Sequence, residues 1–121
     1  MNRRQLVVSY GVGLLMLALA LAYFVAPELI EQLYGVAVPE QGKYSMHYAV
    51  GVRDLFYGLL ILTLTLLKQQ RSLSIAIGLG MVLPLGDATI VLFYEKAGLL
   101  RALPHLGGVV MLLVVFLYLK K

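Results

Sequence analysis

The sequence predicts an all-α, polytopic integral membrane four-helix bundle formed as a single domain over residues 1–121. Three observations point there. Of the 121 residues, 61% are hydrophobic and only 13% charged, and the mean hydropathy is +0.90. A soluble domain of this length carries about a quarter charged residues and less than half apolar ones. The apolar residues also fall in four long runs, each near the roughly 20 residues that a helix needs to cross about 30 Å of hydrocarbon. Cysteine and tryptophan are absent, which excludes a disulfide scaffold, thiolate metal sites and thiol redox chemistry.

The first run, residues 6–26, carries no charge and ends at Pro27. Arg3 and Arg4 precede it, and Ala18-Leu19-Ala20 has a small-residue pattern. The run is nevertheless longer than the 7–15 residues of a signal-peptide core, so it reads as a membrane span. The second, 46–67, contains Arg53 and Asp54. The polar run Lys68-Gln69-Gln70-Arg71-Ser72 separates it from the third, 73–94, which contains Asp87 and a kinking Pro84. The fourth, 104–119, starts with Pro104 in its first turn and His105 at the membrane surface. Between the first two spans, residues 28–34 read as a short amphipathic helix. Its acids lie in the first turn, Gly35 is its stop, and Leu29, Ile30, Leu33 and Tyr34 rest on the membrane.

Charge sets the orientation. Arg3, Arg4, Lys68, Arg71, Lys120 and Lys121 gather at one end of the bundle, while Lys43, Lys96 and Arg101 at the other are offset by Glu28, Glu31, Glu40 and Glu95. By the positive-inside rule both termini are cytoplasmic. Topology thus accounts for the net charge of +4, and no nucleic-acid partner is implied. The partners expected are membrane lipid, a lipophilic small molecule and a second copy of the chain, docked through Gly11 and Gly13. Tyr10, Tyr23, Tyr44, Tyr48, Tyr94 and Tyr118 sit where interfacial anchors belong.

A charge within the bilayer costs roughly 2.5–3.5 kcal/mol on insertion scales and usually marks function. Asp54 lies seven residues from His47, and Asp87 seven residues from Tyr94. At 1.5 Å per residue both carboxyls sit about 10 Å below the same surface. His47, Gly51, Asp54 and Gly58 share one helix face, Arg53 and Tyr57 lie on the adjoining stripe, and Gly80, Pro84, Asp87 and Tyr94 share a face of the third span. One cavity bounded by Arg53, Asp54, Asp87 and His105 follows, with His47, Tyr57, Tyr94, Gly51 and Gly58 as substrate-binding positions. A guanidinium between two carboxyls lets one act as base while the other acts as acid. Asp87 is then the water-activating base, Asp54 its acidic partner, Arg53 the charge that tells them apart, and His105 an auxiliary proton donor at the mouth.

Hydrolysis of an epoxide needs that pair of roles, as do related isomerisations and cyclisations of lipophilic molecules. The same three residue types hydrolyse epoxides on an unrelated soluble fold, an analogy of composition only. Two alternatives use the same residues: a binding or proton-coupled transport module, and an accessory subunit whose buried charges serve packing. No ligand-pair spacing links the histidines to the aspartates, so no metal or other cofactor is expected.

Gly51-Val52-Arg53-Asp54-Leu55-Phe56-Tyr57-Gly58, then Pro84-Leu85-Gly86-Asp87-Ala88-Thr89-Ile90-Val91, then His105, resembles a family of small four-helix integral membrane proteins of bacteria and fungi. That family is catalogued as a domain of unknown function. The resemblance covers nearly the whole chain and implies that Arg53, Asp54, Asp87 and His105 are the polar motif positions. It implies the plasma (inner) membrane in a bacterium and an endomembrane in a fungus, and it supplies no activity. The Gly107-Gly108 pair after His105 departs from the family pattern and suits close helix packing.

Overall fold

Four helices long and apolar enough to cross a membrane make up most of the chain, and the computed structural model describes residues 1–34 and 44–121. Gly35, Glu40 and Lys43, which the sequence places in the first loop, lie outside the described residues. In chain order the elements are α1 (Arg3–Val25), α2 (Pro27–Tyr34), α3 (Ser45–Leu66), α4 (Gln70–Gly80), α5 (Val82–Thr89), a π turn (Ile90–Tyr94) and α6 (Leu99–Lys120). α4, α5 and the π turn run on as one span, Gln70–Tyr94. Val7, Leu14, Leu21, Leu59, Leu66 and Leu117 turn outward and are exposed. That surface suits lipid, and the chain is a multi-pass membrane protein.

Local chemistry sets the helix ends. α1 opens on a reciprocal cap: the Gln5 backbone N–H donates to the Asn2 side chain at 2.8 Å, and the Asn2 N–H donates to Gln5 Oε1 at 3.0 Å. Pro27, expected to close the first helix, also opens α2, where its missing N–H costs nothing. α2 differs from a helix lying on the membrane surface. Ile30 is buried, α2 packs against α1 and α6, and Leu29 and Leu33 face outward. Tyr44, just before α3, donates its hydroxyl to Glu28 of α2 at 2.8 Å. That carboxylate pushes the phenol above its ordinary value.

α1 and α3 lie antiparallel along most of their length because glycines let the backbones meet. A Cβ on Gly58 would stand 3.0 Å from Leu17 Cδ2 and 3.1 Å from the Gly13 carbonyl oxygen, and one on Gly51 would meet Phe24 at 3.0 Å and Tyr23 at 3.1 Å. Gly13 is thus taken up within the molecule, leaving Gly11 alone of the expected dimer pair with open space around it. α6 packs against α4 and α5 but barely touches α1. Toward the termini all four spans close around Val12, Tyr57, Ile61, Leu73, Ile77, Leu112, Val115 and Leu119. That end is tied by Gln70 Nε2, which donates to the Leu119 carbonyl at 2.7 Å.

Two irregularities separate the third span from a plain helix. Pro84 has no N–H for the Gly80 carbonyl, so α4 stops at Gly80 and Met81 makes a tight turn, its N–H reaching Gly78 O at 3.3 Å. The kink expected of Pro84 therefore falls a turn before it. Farther on, the π turn closes with the Glu95 N–H on Ile90 O at 3.0 Å. Lys96 and Gly98, both at positive φ, then swing the chain into α6. α6 starts at Leu99 and not near residue 104, so Pro104 stands inside the helix. The only intrahelical bond it forfeits is one to the Leu100 carbonyl.

A Gly58→Val variant is expected to lose about 1–3 kcal/mol through overpacking at the α1–α3 contact. Gly11→Val, whose Cβ meets nothing within 4 Å, is expected to match wild type. Unfolding midpoints in mixed detergent–denaturant micelles measure both.

Candidate functional site

Arg53 leaves the middle of α3 and reaches two carboxylates. Its Nη1 and Nη2 donate to Asp87 Oδ1 and Oδ2, each at 2.9 Å. This forked pair ties α3 to α5. Its Nε and Nη2 donate to Oδ1 of Asp54, both at 3.1 Å. Neighbours one apart on a helix do not normally face each other. Here the long arginine stem folds back across its own helix, and the planar fork presents one edge to each aspartate. Arg53 therefore engages both oxygens of Asp87 but only Oδ1 of Asp54.

His105 Nδ1 lies 3.9 Å from Asp87 Oδ2. The histidine is buried, since six residues of α6 precede it. The sequence reading had it at the membrane surface because it began the helix near Pro104. Tyr57, one turn along α3 from Arg53, is buried and donates its hydroxyl to the Ala76 carbonyl at 3.2 Å. Gly80 makes room for that ring: any side chain there would collide with the Tyr57 hydroxyl.

These groups form one end of a cavity of about 200 Å³. α1 contributes Leu15, Met16, Leu19 and Tyr23, and α3 contributes Arg53, Asp54 and Tyr57. Gly80, Leu83, Pro84 and Asp87 come from the third span, and Pro104, His105, Gly107, Gly108, Met111 and Leu112 from α6. The wall is apolar apart from the charged cluster and its neighbours. With both aspartates ionised the cluster sums to one negative charge. Such a sum in apolar surroundings is neutralised by one proton, by His105 or by a bound group.

Arg53, Asp54, Asp87, His105 and Tyr57 thus meet as the helix-face argument requires, and the two carboxyls are level enough to share one guanidinium. Four expected positions lie elsewhere. Tyr94 is 82% exposed, because the π turn after Asp87 alters the rotation per residue and breaks the seven-residue register. His47 is buried between the rings of Tyr23 and Tyr44, at centroid distances of 6.3 and 5.9 Å, outside the cavity wall. Neither of its ring nitrogens has a hydrogen-bond partner among the described residues. Gly51 and Gly58 face α1 and serve packing. They share the stripe of Asp54, whose carboxyl lines the cavity together with residues of α1.

Sequence reasoning missed the contribution of α1. Tyr23, expected as an interfacial anchor, is 5% exposed and lines the cavity. An uncharged helix gave no sign that one of its faces borders a site. The Gly107-Gly108 pair divides in function. A Cβ on Gly108 would stand 3.2 Å from Pro84 Cβ, so this residue serves packing, whereas one on Gly107 meets nothing within 4 Å.

Fold and site together define a small multi-pass membrane protein with an Asp–Arg–Asp cluster set into an apolar intramembrane cavity. The chain belongs to the family described as domain of unknown function DUF4267, whose model matches residues 13–119. No curated protein and no solved structure matches it.

Asp87→Leu leaves the Arg53 fork without its partner on α5. Breaking such a pair costs about 3–5 kcal/mol when both groups are fully buried. With the Arg53 side chain 32% exposed, about 2 kcal/mol is expected. Arg53→Met combined with Asp87→Leu is expected to recover part of that loss. A double-mutant cycle on micelle unfolding midpoints measures the coupling.

Proposed function

We propose that this protein is a membrane-embedded acid–base enzyme acting on a lipophilic small molecule, and that the opening of an epoxide by water is the reaction its site fits best. The observation that carries the reading is the asymmetric hold of one guanidinium on two aspartates at the end of an apolar cavity. Asp87, gripped through both oxygens, is the ionised carboxylate. Asp54, gripped through Oδ1 and with its side chain 5% exposed, carries the proton.

Asp87 takes a proton from water as the water oxygen bonds to one epoxide carbon. The C–O bond at that carbon breaks, its electron pair stays on the ring oxygen, and that oxygen takes the proton of Asp54. The diol leaves, and a proton passes from Asp87 back to Asp54 to restore the starting state. Arg53 stays charged throughout and keeps the two carboxyls in different states. His105 supports Asp87 from α6. An isomerisation or cyclisation that moves a proton between two sites of one molecule uses the same pair. The positive-inside distribution supports a reading with both termini in the cytoplasm, and the family resemblance supports the plasma membrane in a bacterium and an endomembrane in a fungus.

A purely structural ion network draws on the same bonds, and substitution separates the two readings. Purified wild type is incubated with a panel of lipophilic epoxides in oxygen-18 water. The expected product is a diol carrying one labelled oxygen, with turnover reduced at least about a hundredfold in Asp87→Asn and Asp54→Asn. Both variants are first shown to remain folded. Turnover unchanged in both removes the assignment, and loss of stability without any wild-type turnover favours the packing role.

A further inference from the structure

The cavity is closed toward the termini, where Leu112 and Tyr57 belong both to its wall and to the packed core. Its side between α1 and α6 is different, because those helices barely touch. Leu15 of α1 lines the cavity yet is 42% exposed. Pro104 and Gly107 of α6 also line it and are exposed. Residues three and four apart share a helix face, so Pro104, Gly107 and Met111 make one edge of a mouth and Leu15 and Leu19 the other. Gly107 sits midway along the α6 edge. Its missing side chain is not demanded by packing, unlike that of Gly108 one residue on.

We infer that the substrate is a single-tailed amphiphile that enters head first from the bilayer between α1 and α6, its tail lying across Gly107 into the lipid, so that Gly107 determines which tails are accepted. The inference rests on the acid–base reading for the chemistry of the head. Size gives the rest. An apolar cavity of about 150 Å³ takes a benzene ring, so 200 Å³ takes a head of about eight heavy atoms by the same measure. A long chain with its epoxide at one end meets that limit, since the remainder stays in lipid. A chain with its epoxide in the middle carries two arms, of which the mouth beside Gly107 takes one, and it is disfavoured.

The test compares wild type, Gly107→Phe, Gly107→Leu and Gly11→Phe, the last being exposed on α1 away from the cavity. The readout is kcat/KM for a sixteen-carbon terminal epoxide relative to a six-carbon one, with an eighteen-carbon mid-chain epoxide as the disfavoured case. The ratio is expected to fall about tenfold in Gly107→Phe, the equivalent of about 1.4 kcal/mol. A smaller fall is expected in Gly107→Leu, and none in Gly11→Phe. An unchanged ratio in both Gly107 variants, or a mid-chain epoxide turned over as well as the terminal one, overturns the inference.

A second readout needs no turnover. The sixteen-carbon terminal diol is expected to raise the Tm of wild type and of Gly11→Phe but not of Gly107→Phe. No rise in wild type, or an equal rise in Gly107→Phe, overturns the inference even where epoxides are hydrolysed. The expected pattern of rises with no epoxide turned over keeps the mouth and removes the hydrolysis reading.

Discussion

A guanidinium in the apolar middle of a bundle cannot be left alone, and the site end of this molecule is arranged around that constraint. Arg53 holds a carboxylate on each of two edges of its fork. One comes from the next residue of its own helix, and the other has to come from a different span at the same depth. That requirement fixes the height of α5 against α3, because a shift of one residue along the third span moves Asp87 by about 1.5 Å and breaks a pair of 2.9 Å bonds. The break at Met81 and the π turn bracket Asp87 on either side. The short helix that carries Asp87 is thereby set apart from the regular packing of α4 below it.

The glycines explain why the bundle is tight on one side and open on the other. Gly13, Gly51 and Gly58 bring the backbones of α1 and α3 together, and Gly80 and Gly108 do the same around Tyr57 and Pro84. These contacts hold the spans most closely in two pairs, α1 with α3 and the third span with α6, and Gly80 with Tyr57 joins α4 to α3 between them. Little joins α1 to α6. The cavity lies between the pairs, with the Arg53–Asp87 bond as the polar bridge across it. Lipid-exposed helices gain no hydrophobic drive to associate, so a gap between α1 and α6 is not closed by the force that would collapse it in water.

Much of this was legible in the sequence. Hydropathy alone locates the four spans, and the charges read by helix periodicity bring Arg53, Asp54 and Asp87 to one place, with His105 added by the short connection before the fourth span. Such counting succeeds where the helix is regular, as along α3 from Arg53 to Tyr57. It fails at Tyr94, where a π turn intervenes, and at His105, where α6 begins five residues earlier than Pro104 suggested. It also fails for Gly51 and Gly58, because a shared stripe does not tell a position packed tightly on α1 from one that borders the cavity. Tyr23 was not legible as a site residue at all. Its role comes from the pairing of α1 with α3, which depends on how glycines on two separate helices meet.

The position of the cluster divides the molecule by function along its length. Toward the termini the core is mostly aliphatic, with Tyr57, Ser9, Thr65 and Ser74 buried among the apolar side chains, and Ile61, Leu73 and Ile77 have no exposed surface. Stability can be drawn from that half without involving the charged groups. The other half holds Arg53, two carboxyls and His105 beside a cavity of about 200 Å³, and buried charges of this kind are costly in a bundle of four helices. A network needed only to fix helix register is met by one forked pair between Arg53 and Asp87. The second carboxyl on Arg53, the histidine beside Asp87 and the cavity onto which all of them face go beyond that need. The excess sits where the proposed substrate, entering from the side, would have its polar end, and this is the physical ground on which the proposal of chemistry at the cluster rests.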